Sequence, residues 1–195
     1  MTEIKAGFAL CGSFCTFSKV IPQMKSLKDK GVDLYPIMSE IAYGTDTRFG
    51  NCKDFINEIE EICSRKIIAT VKDAEPIGPK KMLDILIIAP CTGNTLAKLA
   101  NGIADTSVTL ATKAHLRNER PVLIGVSTND ALGNAAKNIG NLMNYKNIFF
   151  IPMRQDDPQN KPNSIVADFT QVYDSMISSL ENKQLQPVII QPEKS

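Results

Sequence analysis

The segment Asp84–Asp105, DILIIAPCTGNTLAKLANGIAD, constrains the fold more than any other part of the chain. Ile85–Ala89 is a continuous apolar run, which reads as a strand buried on both faces. A strand of that kind needs helices above and below it, so the class is α/β. The run breaks at Pro90 into Cys91-Thr92-Gly93-Asn94-Thr95 and passes directly into a helical pattern over Leu96–Gly102. Small polar residues between a strand and a helix start make a cradle. Backbone N–H groups and hydroxyls converge there, and the helix dipole favours an anion. Taken alone, the turn is equally consistent with a plain connection in which Thr95 is the N-cap.

The same alternation continues along the chain. Strands are expected at Ile4–Leu10, Asp33–Met38, Ile67–Val71, Val122–Val126 and Ile148–Ile151. Helices are expected at Phe17–Lys30, Asn51–Lys66, Thr106–Asn118, Ala131–Met143 and Ile165–Glu181. Lys72–Lys81, with Pro76, Gly78 and Pro79, and Arg154–Asn163, with Pro158, read as loops. The expected fold is therefore a Rossmann-like (flavodoxin-like) parallel sheet with helices on both faces. It occupies a single domain over residues 1–185, and residues 186–195 form a flexible tail.

The chain has 195 residues and a net charge of +1, with 22 basic and 21 acidic residues interspersed. No basic stripe marks a nucleic-acid surface. No apolar run is long enough for a membrane span, and no signal-peptide pattern opens the chain, so a cytoplasmic location is expected. Five cysteines with no Cys-x-x-Cys pair suggest free thiols. A single histidine, His115, argues against a metal site, and none is expected. Lys113 and Arg117 beside it suggest a wet helix face, so His115 is read as a surface or interface residue rather than a catalytic base.

Ligands of open α/β sheets sit beyond the carboxyl ends of the strands. After the first strand comes Cys11-Gly12-Ser13-Phe14-Cys15-Thr16. Gly7 and Gly12 have Walker A spacing, but Ser13 stands where lysine would follow, and no Gly-x-Gly-x-x-Gly is present. A Gly-Ser turn suits one terminal phosphate. Ser39 follows the second strand, and Ser127-Thr128-Asn129 follows the Val122–Val126 strand. Cys91 has no histidine or lysine beside it to lower its pKa, so a small packing residue is the favoured reading over a nucleophile.

Pro90-Cys91-Thr92-Gly93-Asn94-Thr95, with Ala97, Lys98, Ala100, Gly102 and Asp105 after it, resembles the Pro-Ala-Ser-Ala-Asn-Thr signature of the homo-oligomeric flavin-containing cysteine-decarboxylase superfamily. Asn129 matches the asparagine of that superfamily's second signature, Pro-x-Met-Asn-x-x-Met-Trp. Val126, Thr128, Leu132 and Gly133 depart from it. Glu75–Lys81, Ser127–Asp130, Gln155–Pro158 and Lys161–Ser164 resemble members that serve as one subunit of a two-component oxidoreductase in spore-forming bacteria. The resemblance covers roughly residues 4–153.

The resemblance implies a flavin mononucleotide (FMN) site made by Gly12, Ser13, Phe14, Ser39, Pro90, Cys91, Thr92, Asn94, Thr95, Ser127 and Thr128. It implies catalytic roles for Asn94 and Asn129. It also implies a homo-oligomer, a trimer or a multiple of one, and a separate partner subunit that brings NADP. The reaction implied is oxidation of a hydroxy-tetrahydropyridine dicarboxylate to pyridine-2,6-dicarboxylate. Arg48, Lys80, Lys81, Lys113 and Arg154 are candidates to hold the small dicarboxylate substrate. Decarboxylases of the superfamily use a histidine after the second strand, and Glu40–Asp54 contains none. That leaves two alternatives: a non-catalytic scaffold for the partner subunit, or an FMN-dependent decarboxylase or prenyl-flavin synthase relative.

Overall fold

The computed structural model describes residues 3–191. The apolar runs form β1 (Lys5–Leu10), β2 (Asp33–Met38), β3 (Ile85–Cys91), β4 (Val122–Thr128) and β5 (Ile148–Phe150), all parallel. Between them lie α1 (Phe17–Asp29), α2 (Glu40–Gly44), α3 (Cys52–Cys63), α4 (Val71–Ala74), α5 (Gly93–Ala100), α6 (Ser107–Leu116) and α7 (Ala136–Met143). An antiparallel hairpin, β6 (Met153–Asp157) and β7 (Lys161–Ala167), and then α8 (Val172–Leu180) follow. The result is one α/β domain around a mostly parallel seven-stranded sheet.

The strand order is β2-β1-β3-β4-β7-β6, with β5 also on β4. The amino half of β4 pairs with β5 and its carboxyl end, Ser127–Thr128, with β7. The winding reverses between β1 and β3, so a crevice opens over their carboxyl ends. The Ala89–Pro90 peptide is cis, and the β3–β4 register shifts between Ile88 and Cys91.

Alternation along the strands divides the core into two layers. Phe8 and Leu10 pack with Phe17, Val20 and Met24 of α1. Ala9, Leu86 and Ile88 pack with Val108 and Ala111 of α6. Phe8 and Phe17 are fully buried, and burial of one such ring stabilises the fold by about 1.5–3 kcal/mol. The α6 terminus is set by a capping box: Thr109 N–H donates to Thr106 Oγ1 at 3.2 Å and Thr106 N–H to Thr109 Oγ1 at 3.0 Å. Gly78 lets the preceding loop approach α6 closely, since a Cβ there would lie 2.8 Å from Ala114 Cβ.

Several local expectations are corrected. Arg154–Asn163 is not a loop but most of the β6–β7 hairpin. Ile165–Ala167 completes β7, so the last helix starts at Val172. Ile67–Val71 contributes only an Ile37–Ile68 bridge, because Thr70 already caps α4 by accepting from Asp73 N–H. Part of the expected Lys72–Lys81 loop is helical: α4, and a 3-10 turn at Glu75–Ile77.

The segment expected as a tail from Gln186 is tied down in part. Met153 N–H donates to Val188 O at 2.9 Å and Ile190 N–H to Met153 O at 3.0 Å. Residues 192–195 lie outside the described residues. Just before this segment, Gln184 Oε1 accepts from Phe150 N–H at 2.8 Å and its Nε2 donates to Phe150 O at 2.7 Å. The side-chain amide thus pairs with the outer edge of β5 as a neighbouring strand would.

Candidate functional site

Two clefts open at the carboxyl ends of the strands, separated by a ridge made of Gly12 and Thr92. The first, about 550 Å³, lies between the β1–α1 loop, the end of β4 and the β6–β7 hairpin. Ser13, Phe14, Ser127, Thr128 and Asn129 line it. The second, about 450 Å³, holds Ser39, Glu40, Asn94, Thr95, Lys98 and Asp105. Gly12 and Thr92 line both. A further groove of about 660 Å³ beside β5, with Glu119 and Asn147 in its wall, lies at the amino ends of the strands and away from the ridge.

The ridge is built by short hydrogen bonds at the strand ends. Cys11 N–H donates to Pro90 O at 3.1 Å, tying the β1 loop to β3. Thr16 N–H and Oγ1 both donate to Ser13 O, at 3.0 and 2.7 Å, which fixes the turn. The Ser13 and Ser127 hydroxyls lie 2.9 Å apart and join the ends of β1 and β4. Ser39 caps α2 by accepting from Ala42 N–H at 3.3 Å.

The expected N-cap, Thr95, is the third residue of α5. The cap is Thr92, whose Oγ1 accepts from Thr95 N–H at 3.4 Å. The N–H groups of Gly93 and Asn94 therefore open the helix and have no carbonyl within it to bond. Gly93 lets two side chains approach: a Cβ would lie 2.8 Å from Asp130 Oδ1 and 2.9 Å from Thr128 Oγ1, and both would have to shift. Those two atoms are themselves hydrogen-bonded at 2.5 Å.

The structure does not put every expected residue in a cleft. Pro90 and Cys91 lie within β3 and are buried. The Cys91 thiol lies 4.0 Å from Thr92 O behind the ridge, and burial pushes its pKa well up. Thr95 Oγ1 donates to Cys11 Sγ at 3.3 Å. Pro90, Cys91 and Cys11 support the cradle from beneath, while Thr95 also lines the second cleft. Asn129 and Asn94 stand in different clefts, one on each side of the ridge.

His115 is neither a surface residue nor a base. It is 1% exposed, and its Nε2 lies 3.1 Å from Pro121 O. Burial lowers its pKa to about 4. The imidazole is therefore neutral at pH 7 and donates to that carbonyl.

The cations expected to hold substrate lie elsewhere. Lys80 and Lys81 precede β3, at the amino end of the sheet. Lys113 lines a groove between α5 and α6. Arg154 pairs with Asp168 at 2.7 Å, and Arg48 stacks over Phe49 at 4.9 Å. The first cleft is instead lined by Lys19 of α1 and Lys161 of the hairpin; Lys161 opens one of the strings that carry the resemblance, but neither lysine is among those expected to hold substrate. Among the described residues no group of three or more His, Cys, Asp or Glu side chains is placed to hold a metal ion, and no helix is long and apolar enough to cross a membrane.

The fold that carries these clefts is shared with known proteins. Residues 1–180 match the Flavoprotein family. The chain belongs to that family. It is 44% identical over 187 residues to the B subunit of dipicolinate synthase from Bacillus subtilis (strain 168), spanning 96% of this chain and 94% of that one. The crystal structure of the corresponding B subunit from Bacillus halodurans C superposes with a TM-score of 0.89 at 44% identity, covering 97% of each chain. The FMN-dependent cysteine decarboxylase SpaF shares the fold, with a TM-score of 0.65 at 21% identity over 91% of this chain and 97% of that one.

Proposed function

We propose that this chain is the flavin-binding B subunit of a dipicolinate synthase. It acts with the A subunit of that enzyme in oxidising a hydroxy-tetrahydrodipicolinate to dipicolinate during spore formation. The observation that carries this reading is the 44% identity, over 96% of the chain, to the Bacillus subtilis B subunit. The ridge adds physical support. Ser13, Ser39 and Thr92 offer hydroxyls and Gly12 its backbone N–H to a phosphate, with the opening N–H groups of α5 beside them. Phe14 and Phe49 give the first cleft aromatic walls for a ring system. These residues fit FMN, which when bound supplies a two-electron acceptor.

The overall reaction is loss of water and a two-electron oxidation, with NADP on the partner subunit as the final acceptor. In this reading the chain's own side chains bind and orient. The amides of Asn94 and Asn129 donate to the flavin edge or to a substrate carboxylate. Losing a hydrogen bond to a charged group costs about 1.5–3 kcal/mol, or roughly ten- to hundredfold in turnover. Asn94→Ala and Asn129→Ala are each expected to lose that much dipicolinate formation, followed by ultraviolet absorbance with the partner subunit and NADP present. Full activity in both variants with flavin still bound would refute these roles.

The lack of a histidine in Glu40–Asp54 favours a second reading, a scaffold that only stabilises the partner subunit. Under that reading both variants stay fully active.

A homo-oligomer belongs to the proposal. Ile41, Tyr43 and Phe49 are 65%, 38% and 47% exposed, and Ile41 and Phe49 line the clefts. Apolar rims of this kind suit contact with another copy. Sedimentation of the purified chain at micromolar concentration should show a trimer or a multiple of one, and a monomer would overturn this part.

A further inference from the structure

We infer that the first cleft is a dicarboxylate pocket in which Lys161 of the β6–β7 hairpin and Lys19 of α1 each pair with one carboxylate of the substrate. The inference rests on the function proposed above and names the residues that select its substrate. It starts from charge. The first cleft is lined by Lys19, Lys161 and Asp156, an excess of one cation. The second is lined by Lys98, Glu40 and Asp105, an excess of one anion. There Lys98 is engaged by Asp105 at 2.8 Å, and Glu40 Oε1 accepts from Ser107 N–H at 2.9 Å. A dianion is therefore favoured in the first cleft and opposed in the second.

Lys161 is held in reserve rather than locked. Its Nζ lies 3.1 Å from Asp156 Oδ2, and the two side chains are 53% and 32% exposed. A pair so open to water is weak, so exchanging Asp156 for a substrate carboxylate costs little. The β6–β7 register shifts between Gln155 and Asp157, which sets Asp156 apart from the regular pairing.

Neutral donors complete the pocket. Ser164 is 3% exposed, and its hydroxyl donates to Asn129 Oδ1 at 3.5 Å. That orientation leaves the Asn129 amide N–H groups free to donate to an anion. Ser13 and Ser127 hydroxyls face the same space. Two ammonium groups on separate elements, with donors between them, recognise two carboxylates on one small ring better than one.

The test is calorimetric titration of the full chain, with and without FMN, using dipicolinate and its monocarboxylate analogue picolinate. FMN affinity is measured separately by fluorescence quenching. The parent chain should prefer dipicolinate. Lys161→Gln and Lys19→Gln should each weaken dipicolinate by about tenfold or more and erase most of the preference over picolinate. Lys161→Arg should restore most of the affinity, and Asp156→Asn should tighten binding. FMN affinity should change much less than dipicolinate affinity in every variant. Equal affinity for the two acids in the parent chain, no dipicolinate binding at all, or glutamine variants that bind like the parent would each overturn the inference. Failure of the parent chain to bind FMN overturns the flavin reading instead and leaves the dicarboxylate arms to be judged on their own.

Discussion

A Ser13→Asp variant is expected to bind FMN at least a hundredfold more weakly than the parent chain, while folding normally. Ser13 sits beside Gly12 on the ridge, half-buried, with its hydroxyl 2.9 Å from that of Ser127. A carboxylate there faces the phosphate that the proposed function puts on the ridge. Two like charges about 4 Å apart repel by about 4 kcal/mol at an effective dielectric near 20. Partial solvent access reduces this, and about 3 kcal/mol remains, a factor of roughly a hundred or more in affinity. Loss of the Ser13–Ser127 contact adds only about 1 kcal/mol, so Ser13→Ala is the control that separates charge from hydrogen bonding. Titration followed by flavin fluorescence should give one equivalent per parent chain. Unchanged affinity in the aspartate variant would place the phosphate elsewhere.

Acid should destabilise this protein through His115 before it reaches the carboxylates. His115 has a folded pKa of about 4, against 6.5 for the free side chain. Burial is the main cause. The Pro121 carbonyl opposes it, the Arg120 guanidinium adds to it, and Asp84 opposes it. The folded state therefore binds its proton later than the unfolded state as pH falls. Stability from this group is complete above pH 6.5, declines as pH drops below 6.5, and is exhausted below about 4. The shift corresponds to about 3 kcal/mol. His115→Gln keeps a donor for Pro121 O and cannot titrate. Denaturant unfolding from pH 7.5 to 4 should show the parent losing about 3 kcal/mol more than the variant. Parallel pH profiles would show that His115 does not carry this effect.

The parallel strands were legible because they are buried on both faces and leave uninterrupted apolar runs. Their ends were legible for a related reason: small polar residues follow each run where the chain must turn over the sheet. The β6–β7 hairpin was not. Arg154, Gln155, Asp156, Asp157, Asn160 and Lys161 are all polar, exposed or half-buried, so the strand pattern is carried by backbone pairing rather than by apolar alternation. That same hairpin brings Lys161 to the cleft, and no spacing in the sequence relates it to Lys19.

The neighbours of His115 point the wrong way. Lys113 and Arg117 are exposed, but Val108, Ala111, Thr112 and His115 recur at helical spacing and share the buried face. Thr92 and Thr95 are both good caps, and only the start of α5 decides between them. Pro90 and Cys91 carry the resemblance, yet they act behind the cradle.

The amide of Gln184, closed on both polar groups of Phe150, bears on a hazard that every open sheet carries. An unpaired margin is a template on which any extended peptide can crystallise, including a misfolded copy of the same chain. Here a single side chain occupies that template where β5 is shortest and its neighbour β4 has already turned to another partner. That margin is thereby closed to a further strand at Phe150, while Ile41 and Phe49 stay bare on the rim of the clefts.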